Sequence, residues 1–162
     1  MKLIIGRHGE AESISFSGLD RDRQLTDKGR FDIEKMAKFI ATSPLKVNHI
    51  FHSPYKRTTE TAEIFASKLS FQGTPIPADE LLPSNNYSEI LTHFSKFTNS
   101  DTVLIIGHNP DVSFFASRLI KDESIARSFV FSTGTTIAIN TPKENFAYGQ
   151  LIWMISPDFL KT

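Results

Sequence analysis

Val103-Leu104-Ile105-Ile106 is an unbroken apolar run, set between Asp101-Thr102 and Gly107-His108. Successive side chains of a strand point to opposite faces, so such a run needs cover on both sides. A central strand of a parallel sheet, with helices above and below, provides that cover. Leu3-Ile4-Ile5, ended by Gly6, is a second strand of the same kind. A strand pattern this apolar constrains the fold more than any overall average does.

The segments between these runs alternate in period. Thr26 is placed to cap a helix that opens at Asp27, buries Ile33, Met36, Ala37 and Ile40 on one side, and stops at Ser43-Pro44. His49 to His52 reads as a short strand ended by Ser53-Pro54. A second helix is expected from about Tyr55 to Leu69, with Ala62, Phe65, Ala66 and Leu69 on one face. Pro75 and Pro77 bracket an extended stretch that reaches Leu82, and Tyr87, Ile90, Leu91 and Phe94 mark a third helix. A fourth follows Pro110, with Val112, Phe115, Ala116, Leu119 and Ile120 in phase, and Thr135–Ile139 and Leu151–Ile155 read as two last strands. Residues 9–24 carry no period and read as a loop. Strands alternating with helices predict an α/β sheet covered on both faces. With no repeat or linker in sight, residues 1–162 are expected to form one domain.

Charge and composition exclude several functions. Lys plus Arg equals Asp plus Glu at 18 each, so bulk attraction to nucleic acid or an anionic membrane is not expected. Cysteine is absent, which removes disulfides, thiol nucleophiles and thiolate metal sites. The apolar runs are too short to cross a bilayer, and the first one ends too early for a signal peptide. A cytoplasmic location is the expectation.

Three groups of reactive residues each follow a predicted strand: Arg7-His8-Gly9-Glu10, Ser53-Pro54 with Arg57, and Gly107-His108-Asn109. Ligands of open α/β sheets bind beyond the carboxyl ends of the strands. If these strands are parallel neighbours, two histidines and two arginines meet at one edge. Guanidinium forks match phosphate oxygens. A neutral imidazole is a nucleophile toward phosphorus. A second imidazole, when protonated, supports the charge of a transferring phosphoryl group. The set suits phosphoryl transfer through a covalent phosphohistidine, with no metal or other cofactor called for. Each residue alone has an ordinary structural reading. A metal site is disfavoured, because His49 and His52 point to opposite faces of their strand.

These residues also carry a family resemblance. Arg7-His8-Gly9 after Leu3-Ile4-Ile5, then Leu25-Thr26-Asp27-Lys28-Gly29, then Ser53 through Ala62, then Gly107-His108-Asn109-Pro110 resemble, in order, four motifs of the histidine phosphatase superfamily, which includes the phosphoglycerate mutases. Chain length, the spacing from Arg57 to His108 and the ending Trp153 to Pro157 are most similar to the SixA-type phosphohistidine phosphatases. The resemblance implies a phosphoglycerate mutase-like, three-layer α/β/α fold with a mostly parallel sheet and one antiparallel edge strand. It implies His8 as the nucleophile, Arg7 and Arg57 on the phosphoryl oxygens, and His108 donating to the same group. The implied substrate is a phosphorylated protein, such as a histidine phosphotransfer domain. A small phosphorylated metabolite is the alternative, and a non-catalytic phosphate-binding module is a third reading.

Relatives that cleave phosphate esters use a carboxylic acid to protonate the leaving group. Glu80, in Asp79-Glu80-Leu81-Leu82-Pro83, falls where that acid is expected, with Asp79 behind it. A solvated carboxylate at a strand end is the competing reading of Glu80. Glu10 is a candidate to orient His8 or Arg7, and Asn109 a candidate helix cap. Ser53 is either a turn residue or a neighbour of the phosphate. Most of the 14 phenylalanines are expected in the core, with Phe16 the exposed exception.

Overall fold

A computed structural model describes residues 1–161. Its centre is β4 (Thr102–Gly107), buried along its whole length. β1 (Lys2–Arg7) lies parallel to it on one side and β2 (His49–His52) on the other. The two-residue β3 (Ile76–Pro77) extends the parallel side beyond β2. β5 (Thr136–Asn140) pairs antiparallel with β1, and β6 (Gln150–Ile155) closes that side against β5. The order is β3-β2-β4-β1-β5-β6, so β5 is the strand that runs against the others, next to the β6 edge.

The alternation along β4 explains the three layers. Leu104 and Ile106 face α1 (Asp27–Thr42) and α2 (Lys56–Lys68), where they pack with Ile33, Met36, Ile40 and Phe65. Val103 and Ile105 face the other way, toward Val112, Phe115 and Leu119 of α3 (Asp111–Leu119) and toward Ile90 and Phe94. A run apolar at every position is therefore read from both sides.

Thr26 caps α1 as its position implied, its hydroxyl accepting from the Gly29 amide at 3.0 Å. Gly29 allows that first turn to lie on the loop after β1, since a Cβ there would stand 2.1 Å from the Glu10 carbonyl oxygen. The third expected helix is a 3-10 helix over Tyr87–Lys96, still burying Tyr87, Ile90 and Phe94. The extended stretch beyond Pro77 is shorter than expected and turns into a 3-10 turn at Asp79–Leu81. Asn109 does not cap α3: the N-cap position is Pro110, and the Asn109 side-chain oxygen accepts from the Ser113 hydroxyl at 2.7 Å. Among the described residues, no helix is long and apolar enough to cross a membrane.

Candidate active site

Strand register decides which residues meet. Arg7, the last residue of β1, lies opposite Gly107, the last of β4, and His52, the last of β2, lies opposite Ile106. His8, Ser53 and His108 therefore leave the sheet at one level. Main-chain bonds hold that level, with the His8 amide on the Gly107 carbonyl at 3.2 Å and the Ser53 amide on the Ile106 carbonyl at 3.0 Å. Arg57 reaches the same place from the first turn of α2.

The His8 ring is fixed by its own neighbour. Its Nδ1 lies 2.7 Å from the Gly9 carbonyl oxygen, which only accepts, so Nδ1 carries the proton. That leaves a lone pair on Nε2, which accepts from Arg57 Nε at 3.2 Å. Burial, reinforced by the charges of Arg57, Arg7 and Arg23, lowers the pKa of His8 to about 4, although the bond to Gly9 works the other way. The ring is thus neutral at neutral pH, with its basic nitrogen aimed among cations.

His108 is 5.2 Å from His8 between ring centres. Its Nδ1 lies 3.4 Å from Arg57 Nη2, a group that only donates, so Nδ1 accepts and the proton sits on Nε2, 2.9 Å from the Ser53 hydroxyl. Burial, then His8 and Arg57, lowers its pKa to about 3. The His108 amide donates to the Tyr87 hydroxyl at 3.0 Å, and that hydroxyl donates to the Leu81 carbonyl at 2.8 Å. Gly107 makes room for this bridge, because a Cβ there would come within 2.5 Å of the Tyr87 ring.

The two arginines are held differently. Arg7 donates from Nη1 to the Phe131 carbonyl at 2.7 Å, while its Nε is buried with no hydrogen-bond partner among the described residues. A buried donor without a partner is uncommon and is available to a ligand oxygen. Arg57 stacks over the Tyr55 ring, 4.9 Å from its centre, and also donates from Nη1 to the Asp20 carbonyl at 2.8 Å and from Nη2 to the Asp20 carboxylate at 3.1 Å. The Thr61 hydroxyl links the two sides of the cluster, accepting from the Gly9 amide at 3.1 Å and donating to the Arg57 carbonyl at 2.7 Å.

Arg7, His8, Arg57 and His108 are thus brought together at one rim. Glu80 is not. Its carboxylate takes a hydrogen bond from His93 at 2.9 Å, and this bond holds its pKa below the ordinary value. A carboxyl kept ionised and tied to a histidine outside the cluster is a poor proton donor, which agrees with the competing reading of Glu80 as a solvated carboxylate. Asp79 accepts only through main-chain oxygen in this region, from Asn85 and Leu82. Glu10 accepts from the Thr26 hydroxyl at 2.9 Å instead of orienting His8 or Arg7. Phe131 and Phe115 are core residues, and Phe16 is fully exposed.

Sequence reasoning missed Asp20 and Arg23. They lie in the aperiodic loop after β1, in and beside a 3-10 turn at Asp20–Asp22, and nothing in their spacing announces a role. Arg23 Nη1 donates to the Asp20 carboxylate at 2.8 Å, and its Nε donates to the Glu12 carbonyl. Among the described residues, no group of three or more histidine, aspartate or glutamate side chains gathers to hold a metal.

Comparison with known proteins bears on the family and the fold. The model of the histidine phosphatase superfamily (branch 1) matches residues 3–90. Phosphohistidine phosphatase SixA of Escherichia coli (strain K12) is 25% identical over 163 aligned positions, covering 99% of this chain and 97% of that protein. The structure of the protein histidine phosphatase SixA complexed with tungstate superposes with a TM-score of 0.86 at 25% identity, covering 99% of this chain and 100% of that one. The alpha-ribazole phosphatase from Shigella flexneri shares the fold, with a TM-score of 0.73 at 18% identity over 97% of each chain.

Proposed function

The chain belongs to the histidine phosphatase superfamily (branch 1), and from that premise we propose that it hydrolyses phosphoryl groups through a covalent phosphohistidine on His8, with protein-borne phosphohistidine as the substrate. The observation that carries this reading is the His8 ring: Nδ1 is bound to the Gly9 carbonyl at 2.7 Å, and the Nε2 lone pair faces Arg57 at 3.2 Å.

In the first step His8 Nε2 forms a bond to phosphorus while the bond to the leaving nitrogen or oxygen breaks. Arg57 and Arg7 neutralise the phosphoryl oxygens, and the unpartnered Arg7 Nε is a ready donor for one of them. The Gly9 carbonyl supports the positive charge that the imidazole gains as it becomes phosphorylated. His108 acts as a hydrogen-bond donor to the same oxygens once its proton moves to Nδ1, and Ser53 then reverses to donate to Nε2. In the second step water attacks phosphorus, the bond to His8 breaks, and inorganic phosphate leaves.

The state of Glu80 favours one substrate class. An alkoxide leaving group needs a proton from a positioned acid, whereas an imidazole leaving group needs less help. With Glu80 held ionised by His93, a phosphorylated histidine on a carrier or signalling protein suits the site better than a phosphate ester. The similarity to a phosphohistidine phosphatase points the same way.

Steady-state rates on a phosphorylated histidine phosphotransfer domain, set against a panel of sugar phosphates, test the substrate class. Higher kcat/KM on the sugar phosphates would overturn it. Radiolabelled phosphate trapped on the wild type under an acid-free quench, and absent from His8→Ala, tests the covalent step. No label on either protein would favour a binding module without turnover.

A further inference from the structure

Arg57 has little left to offer a phosphoryl group in this structure. Its Nε donates to His8, its Nη1 to the Asp20 carbonyl, and its Nη2 to the Asp20 carboxylate and His108. A guanidinium grips phosphate best through two parallel N–H groups. Those groups are turned toward Asp20, which presents two oxygens, one from the main chain and one from the side chain.

We propose that Asp20 is a built-in competitor of the phosphoryl group: it occupies Arg57 until a phosphate displaces it, and the turn Asp20–Asp22 then swings away from the mouth. The proposal rests on the reading above only in requiring that phosphate bind at Arg57.

Four observations support it. First, a carboxylate is the natural internal mimic of a phosphate edge, and Asp20 is the carboxylate that touches the cluster. Second, the cluster is covered: His8 keeps 8% exposure, Arg57 5% and His108 4%. Third, the covering turn is held by polar contacts within its own loop, from Ser15 to the Leu19 carbonyl and from Ser17 to the Asp22 carboxylate, and not by packing into the core. It buries none of its own residues, it lacks a side-chain cap, and the Asp20 side chain is 56% exposed, so its release is into water. Fourth, Asp20 has a second station. Arg23 binds its other carboxylate oxygen at 2.8 Å and is itself anchored on the Glu12 carbonyl, so Asp20 can leave Arg57 without losing every partner.

Such a contact lowers the affinity of every anion by the same factor, because each must bind the fraction of molecules in which Asp20 has moved. Weak, abundant anions are kept off Arg57, and the returning carboxylate helps expel inorganic phosphate after hydrolysis.

Isothermal titration of the full chain with inorganic phosphate tests the contact without reading turnover. Asp20→Asn is expected to bind phosphate roughly fivefold tighter or more, as removal of a competing ion pair would give. Arg57→Ala is expected to weaken binding about tenfold or more, which fixes the location of the probe. Removing a negative charge tightens anion binding even if the turn stays in place, so hydrogen exchange supplies the second readout. Saturating phosphate should speed amide exchange across residues 19–23 in the wild type. Equal or weaker phosphate binding in Asp20→Asn, or unchanged or slower exchange across that segment, overturns the proposal while leaving the catalytic reading intact. Absence of phosphate binding in both the wild type and Asp20→Asn overturns both.

Discussion

The parallel strands and the β5–β6 hairpin share one sheet but meet the site in opposite ways. β1, β2 and β4 end at the site and deliver side chains there: His8, Ser53 and His108 are the first residues beyond them. β5 runs the other way, so the segment leading into it approaches the site and delivers main-chain groups. The Phe131 carbonyl accepts from Arg7, the Thr135 carbonyl accepts from the Arg7 amide, and the Gly134 amide donates to the His8 carbonyl. One side of the sheet supplies chemistry that depends on residue type. The other supplies main-chain geometry, which at Phe131 and Thr135 does not depend on the side chain, while Gly134, with φ of 78°, needs its glycine.

Substitutions can break this comparison or sharpen it. The largest effect is expected for His8→Ala, which removes the lone pair delivered by β1. Turnover should fall by about a thousandfold or more, while inorganic phosphate still binds through the arginines; substantial residual turnover would mean another residue takes the phosphoryl group. Arg57→Ala should lower kcat/KM by roughly a hundredfold to a thousandfold and weaken phosphate binding. Phosphate affinity equal to that of the wild type would contradict its place in the cradle.

A smaller effect comes from burying neutral histidines. His8 has a folded pKa of about 4 against an ordinary value of 6.5, so the unfolded chain takes up its proton first as pH falls. Its contribution to stability is therefore full above pH 6.5 and is lost as pH drops toward about 4. The loss from this group is on the order of 2–3 kcal/mol, and His108 adds in the same direction. Urea midpoints at neutral pH and at about pH 4.5 measure it; the drop should shrink in His8→Ala, and an undiminished drop there would assign it to other groups.

On the antiparallel side the expectation reverses. Phe131→Leu leaves the carbonyl that holds Arg7 in place, so kcat/KM should stay within about threefold while stability falls by about 1 kcal/mol. A loss of activity far beyond the loss of stability would show that the Phe131 ring, and not only its main chain, serves the site. Glu80→Gln should have the smallest effect, within about twofold on a phosphohistidine substrate. A drop by orders of magnitude would restore Glu80 as an acid.

The same division explains what the sequence could reveal. Apolar runs, the Thr26 cap and the strand-end placement of Arg7, His8 and His108 were legible because each is a matter of residue type at a fixed spacing. The pairing of β5 against β1 was not, since alternation along a strand is the same for a parallel and an antiparallel neighbour. Nor was the Arg57–Asp20 pair, which joins a helix to an aperiodic loop 37 positions away. The partner of Glu80 was hidden for a related reason: its position after β3 suited an acid, but the bond it makes goes to His93, on a different turn.

The Thr61 hydroxyl stands between the loop that carries His8 and the helix that carries Arg57. One oxygen atom therefore serves as a spacer between attacking group and grip. Movement of that helix passes to both at once, so evolution or engineering acting through α2 cannot loosen the hold on phosphate and keep the line of attack unchanged.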